Sequence, residues 1–441
     1  MLLMIVMSNT AFHLWTARHG PTGWHPVDGS TLDRIVQFAM IVGLDGRSYP
    51  VFAFLFGYGM MRLFQRQVAA GATPRAATVL LHRRSLWLLL LGFGHAALLL
   101  AGDIIGFYAV IGLFLGWLFL RRGTRTLLVA VAVSVLLRLL VTAPALWALV
   151  SGDLAAAGTP VAEPTTVLYA AGEENPLAAA GTRLTTWATV TGYGLVGWML
   201  ATEPLLGFWA ARRGVLEDPA AHRRLLRWTA LLGVTVGWLG GLPLALAHVG
   251  LVDVPPEALG TDGALSSLAQ LTGLAGGLGY VALFGLLAAG LRGGAVGRTG
   301  RATDGPAGRV TGPVVRAVAA VGKRSLSCYL AHSLLFSPVL AAWGLGLGAR
   351  LGSATMAAFA FGVWLLTVAG AGLLERFGRR GPAEALLRRL LYGRRDDRGS
   401  GRAGRPGGHP DGVGEPPAAG ARDLPSRLSG PPVPPAAAPT G

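Results

Sequence analysis

Residues 81–120 read LHRRSLWLLLLGFGHAALLLAGDIIGFYAVIGLFLGWLFL. They form two apolar segments back to back, each roughly 17–18 residues long, near the lower limit for a helix that crosses a bilayer. His82, Arg83 and Arg84 stand before the first segment, and Arg121 and Arg122 follow the second. Basic flanks at both ends and a short turn, Ala101-Gly102-Asp103, predict a transmembrane hairpin whose turn faces away from the cytosol. Two ionisable groups, His95 and Asp103, lie in or beside the apolar region. Such groups are costly in lipid and call for a reason.

Outward from this hairpin the whole chain has the same character. Of its 441 residues, 52% are hydrophobic and 14% charged, which excludes a soluble protein with an ordinary charged surface. The net charge of +16 is no nucleic-acid footprint, because the basic residues fall in short loops between apolar segments. A single cysteine, Cys328, excludes an intramolecular disulfide. Met1 to Trp15 lacks a basic leader and a small-residue cleavage site, so it reads as a short first span, with the true start of the chain expected upstream.

Length and flanks predict an all-α, polytopic bundle of about ten spans. They fall near 1–15, 47–64, 85–101, 104–120, 126–150, 187–210, 228–249, 265–290, 324–345 and 351–374. Loops after even-numbered spans carry arginine, such as Arg66 and Arg75, Arg121 and Arg122, Arg212 and Arg213. Loops after odd-numbered spans carry acids, such as Asp103, Glu173 and Glu174, Asp253 and Glu257. That alternation predicts cytosolic termini. A short amphipathic helix, 382–391, should follow the last span and lie on the inner leaflet through Arg388 and Arg389. The domain thus runs over 1–392. The Gly/Pro/Arg-rich remainder, 393–441, cannot bury enough apolar area to fold and reads as a disordered cytosolic tail. The Gly/Arg-rich loop 292–312 reads as mobile.

Several polar residues stand out. His13, His19, His25, Asp28 and Asp33 crowd the first outer loop, but their spacing fits no metal-ligand pattern and reads as solvated loop polarity. Leu32 to Leu44 can form an amphipathic surface helix, followed by a turn at Asp45-Gly46-Arg47, with Asp45 and Arg47 an outer-face motif. Arg138 lies about twelve residues, ~18 Å, from one end of the fifth span. A lone arginine at that depth needs a partner, and Glu203 in the sixth span is the natural one. Pro204 after it frees a backbone carbonyl and bends the helix, often beside a cavity. A purely structural pair that fixes helix register is an equally good reading. Ser325, Cys328, Tyr329 and His332 recur on one face of the ninth span, so that face is water-lined, ligand-lined or hydrogen-bonded to other helices. Glycine pairs four apart, 112/116, 233/237 and 273/277, permit close helix packing. Gly322-Lys323 is no phosphate loop, since no strand precedes it and Arg324 replaces the Ser or Thr.

At three of these stretches the chain resembles the YeiB-like bacterial inner-membrane proteins, a family classed by a domain of unknown function. They are DGRSYPVFAFLFGYGM at Asp45–Met60, the hairpin with its Gly92-x-x-His95 and Gly102-Asp103-Ile104, and GKRSLSCYLAHSLLF with the following RFGRRGPAEALLRRLLYG. The resemblance spans most of residues 1–393, with 313–392 the most family-like part. The family usually has glutamine where His332 stands. Its architecture is similar to that of ten-span membrane acyltransferases acting on envelope sugars. The resemblance therefore implies a bacterial cytoplasmic membrane protein, and acyl transfer as its activity.

On that reading His95 and Asp103 are catalytic, acyl-coenzyme A is the donor, and an envelope glycan, lipid or small molecule is the acceptor. His95 and Asp103 are eight residues apart, ~12 Å along a straight helix, so they cannot bond directly without a bend. Arg83 and Arg84 could hold a cofactor's phosphates, although topology anchors are the stronger reading. The competing classes are transport of a small solute or ion past Arg138, Glu203, His95 and His332, and a non-catalytic membrane sensor or scaffold.

Overall fold

The computed structural model describes residues 1–297 and 312–393. The mobile loop read over 292–312 is helical as far as Gly297; its remainder, and the tail beyond Gly393, lie outside the described residues. The described residues are all-helical. The helices are α1 Leu2–Ser8, α2 Thr31–Gly43, α3 Ser48–Ala69, α4 Pro74–Leu98, α5 Ile104–Phe119, α6 Thr124–Ser151, α7 Thr165–Leu168 and α8 Pro176–Gly197. Then come α9 Thr202–Arg213, α10 Arg223–His248, α11 Pro256–Leu259, α12 Ala264–Gly297, α13 Pro313–Lys323, α14 Ser325–Leu340, α15 Ser353–Arg376 and α16 Pro382–Tyr392.

Six helical stretches are long and apolar enough to cross a membrane: 31–69, 74–98, 124–151, 223–248, 264–291 and 353–376. Three more, Leu2–His13, Ile104–Phe119 and Ser325–Leu340, are apolar but shorter. These nine correspond to nine of the ten expected spans. The tenth, 187–210, is not one helix: α8 ends at Gly197, a 3₁₀ turn covers Trp198–Leu200, and α9 restarts at Thr202. The first span is also broken, with a 3₁₀ turn at Thr10–His13 after α1. The bundle exterior is strongly apolar. Trp147, Val150 and Leu239 are exposed on α6 and α10, as lipid-facing side chains would be and as a water-facing surface would not.

The expected turns gather at two ends. At one end, Thr159 and Thr261 exchange backbone hydrogen bonds, Val161 N–H donates to Pro21, Thr165 to Gly23, and Ala342 to Ala171. At the other, Arg212 donates to the Phe119 carbonyl, Arg62 pairs with Glu217 at 2.7 Å, and Arg324 pairs with Glu375 at 2.7 Å. The α4 helix begins at Pro74, capped by the Thr73 hydroxyl on the Ala76 N–H, so His82, Arg83 and Arg84 lie inside the helix and not before it. The most extensive helix–helix contact among the described residues is that of α10 with α12. Gly233 and Gly237 of α10 face the backbone of Ala275, Gly276 and Gly279, where any added Cβ would clash. This is the close approach that small residues permit.

Candidate functional site

The α4–α5 hairpin brings His95 and Asp103 into contact. The expectation of a ~12 Å separation assumed one straight axis; α4 ends at Leu98, the chain turns through 99–103, and α5 runs back. Asp103 is the N-cap of α5. Its Oδ1 accepts from Ile105 N–H at 3.2 Å and its Oδ2 from Gly106 N–H at 2.6 Å, satisfying donors that every helix start leaves open. The same carboxylate accepts from His95 Nδ1 at 2.9 Å and Trp187 Nε1 at 3.2 Å. Four donors thus fill its acceptor capacity. Both side chains are essentially inaccessible, at 1% and 0%.

The Gly92-x-x-His95 spacing now has a physical cause. A Cβ on Gly92 would collide with Asp103 Oδ2 and the Gly106 backbone, so glycine one turn before His95 lets α5 start against α4. Further tethers come from residues with no sequence signal. Arg183, buried on α8, donates from Nε to the Ala96 carbonyl (3.2 Å) and from Nη2 to Ala97 (2.8 Å), capping α4, and its guanidinium lies over Trp343. Ser337 Oγ donates to Leu99 at 2.7 Å. Tyr169 sits against Gly102, and burial pushes its phenol up to about 12, so it stays neutral.

With Asp103 accepting at Nδ1, a neutral His95 ring carries its proton there and presents the Nε2 lone pair. Nε2 is buried and has no hydrogen-bond partner among the described residues. The Tyr329 ring packs on the imidazole, centroids 5.2 Å apart, and its hydroxyl accepts from Ile104 N–H at 3.4 Å. Tyr329 also lines a cavity of about 290 Å³ walled by Phe52, Phe56, Leu88 and Ile105, with Arg84 and Ser325 at its edge. Arg84 therefore borders an apolar cavity, while Arg83 is exposed.

A second site lies where the α8–α9 segment breaks. Glu203 is in the first turn of α9 and fully buried. Arg138 Nη2 reaches both its oxygens at 3.2 Å and the Leu200 carbonyl at 2.7 Å. Beside the pair is a cavity of about 230 Å³, bordered by Tyr49, Tyr108, Ser267 and Gln270. Tyr108 lines both cavities.

The remaining sequence-marked residues are placed as follows. His332 Nε2 lies 3.2 Å from the Thr367 hydroxyl, an interhelical bond and not a dyad. Arg47, in the expected Asp45-Gly46-Arg47 turn, is buried. It is 1% exposed and donates to the carbonyls of Ile41 (3.0 Å), Asp45 and Gly237, in a slot left open by Gly241 and Gly276. Asp45 accepts from Ser8 Oγ at 3.0 Å and pairs with His25 Nε2 at 2.6 Å. Two of the three first-loop histidines are not solvated: His13 and His25 are 4% and 3% exposed, and His19 is half-buried. Asp33 closes a capping box with Ser30 and accepts from Ala354 N–H at the start of α15.

No curated protein and no solved structure matches this chain. His95, Asp103, Arg138 and Glu203 precede a stretch that a family model covers, whereas Ser325, Tyr329 and His332 fall inside it. That stretch is residues 210–394, which are similar to the family described as protein of unknown function, DUF418.

Proposed function

We propose that this chain is a multi-pass protein of the bacterial cytoplasmic membrane, with both termini in the cytosol, that transfers an acyl group to a hydroxyl-bearing envelope or small-molecule acceptor. The carrying observation is the buried His95, held at Nδ1 by Asp103, with Nε2 left unpartnered. That arrangement suits a general base. The acceptor O–H gives its proton to Nε2 as its oxygen attacks the carbonyl carbon of an acyl-coenzyme A thioester. The C–S bond breaks, and the departing thiolate takes the proton back from Nε2, leaving an ester and a free thiol. Asp103 fixes the tautomer and stabilises the imidazolium formed between these steps. The apolar cavity behind Tyr329 supports the reading because it suits an acyl chain, with Arg84 at its edge to meet a phosphate.

The test uses detergent-purified full chain and a series of acyl-coenzyme A thioesters, with melting temperature and thiol release as readouts. A binding thioester raises the melting temperature by mass action. Thiol release should occur in the native chain and vanish in His95→Gln, whose unliganded melting temperature stays near the native one. A series that neither stabilises the protein nor releases thiol overturns the proposal. A second reading, passage of a small solute, is favoured by one observation: the two cavities share Tyr108 as a common wall. Solute uptake into proteoliposomes without thiol release would select it.

A further inference from the structure

The cavity beside Arg138 and Glu203 takes no part in the His95 chemistry, and its lining specifies a ligand of its own. At its base the guanidinium and the carboxylate neutralise each other. Tyr108 is 2% exposed, and its hydroxyl is buried without a hydrogen-bond partner among the described residues. Arg138 Nε is likewise without a partner there. Ser267 and Gln270 add a hydroxyl and an amide to the same lining, and the Tyr49 and Tyr108 rings, centroids 6.4 Å apart, add flat faces. A buried phenol without a partner is costly unless something else supplies one.

An anion in this space would meet the Glu203 carboxylate, and a cation would meet the Arg138 guanidinium; the third charged group of the lining, Asp262, is exposed and keeps its own hydration. Neither charge is left over at the base to compensate a desolvated ion. A neutral hydroxyl suits every group present, because it donates to a carboxylate or amide oxygen and accepts from a guanidinium, phenol or amide N–H. A ring bearing several hydroxyls also presents C–H faces that stack on tyrosine. The volume, about 230 Å³, is roughly eight times a liquid water's share and is the scale of one small ring.

We propose that this cavity binds a small, uncharged, polyhydroxylated ring, a monosaccharide or cyclic polyol, hydrogen-bonded by Arg138, Glu203 and the Tyr108 hydroxyl. The proposal stands apart from acyl transfer at His95 and holds whether the ligand is an acceptor, a transported solute or an effector. The probes are D-glucose and myo-inositol, with choline and glutamate as charged controls, added in excess to detergent-purified full chain. Melting temperature and dialysis of radiolabelled glucose are the readouts. At least one neutral probe should raise the melting temperature by a few degrees, and the charged pair should not. Tyr108→Phe keeps the ring and removes only the hydroxyl; it should lower retained glucose by half or more while the unliganded melting temperature is unchanged. His95→Gln should retain glucose as the native chain does, which separates this site from the catalytic reading. Silence from both neutral probes, a larger shift with either charged probe, or full retention in Tyr108→Phe overturns the proposal.

Discussion

Arg138 answers two buried acceptors at the break between α8 and α9. Leu200 ends the 3₁₀ turn and lies before the Ala201 N-cap, and the first bond of α9 runs from Leu205 N–H to Ala201, so the Leu200 carbonyl has no donor from α9. Arg138 Nη2 donates to that carbonyl at 2.7 Å and to Glu203 at 3.2 Å. Arg138→Leu would leave a buried carboxylate and a buried carbonyl unpaired, a loss of roughly 3–5 kcal/mol. Adding Glu203→Gln should restore part of the melting temperature and not all of it, because Leu200 remains unanswered. Thermal unfolding of the single and double variants in detergent checks this; a double variant no more stable than Arg138→Leu would remove the pair as a source of stability. The pairing is legible in sequence, since a lone mid-span arginine requires an anion. The Leu200 contact is not, because which carbonyl a bent helix turns inward depends on the break at 198–201. His95 and Asp103 were legible as a pair of interest, but their contact was hidden by treating the segment as straight. Gly92, Gly102 and the N-cap geometry of Asp103 carry that information, and they register only once α5 is seen to start against α4.

Among the elements, α10 and α12 show how far small residues govern this fold. Gly237 faces Gly276, and its carbonyl accepts from buried Arg47. Gly237→Val would force the two backbones apart and also disturb the Arg47 slot. An overpacking cost of about 1–3 kcal/mol is expected, read as a lower melting temperature; Gly181→Val, on an open surface of α8, is the matched control. A Gly237→Val protein as stable as the control would show that the close approach is not needed. The apolar runs and glycine pairs made these long helices legible. The division of 176–213 into α8 and α9 was not, because the run through the break is as apolar as its flanks. Nor was α13, which is eleven residues long, too short for a span, and lies at the edge of a Gly/Arg-rich stretch with Arg316 inside it. The burial of His13, His25 and Arg47 was missed for a related reason: loop composition says nothing about which loops pack on one another, and these sit where several turns meet.

For the whole molecule, the question is which end of the bundle faces the cytosol. Arginine crowds one set of turns, and the proposed orientation, which rests on the positive-inside tendency, puts that end in the cytosol. Arg183 stands on the opposite side of the charge pattern, but it is buried and capping α4, so it is not a topology signal. Two exposed alanines report the two ends: Ala70, after α3 in an arginine-bearing turn, and Ala155, after α6 in an acidic one. The native Cys328 is buried and serves as background. In intact cells a membrane-impermeant maleimide should label Ala155→Cys at once and Ala70→Cys only after lysis. The opposite pattern would invert the orientation and place His95, near the α4–α5 turn, toward the cytosolic side. An acyl-coenzyme A donor would then approach from the turn, past Tyr169 and Trp187, and no longer from the cavity edged by Arg84 and Ser325. The labelling pattern therefore decides topology, and with it which of the two faces of His95 must admit the donor.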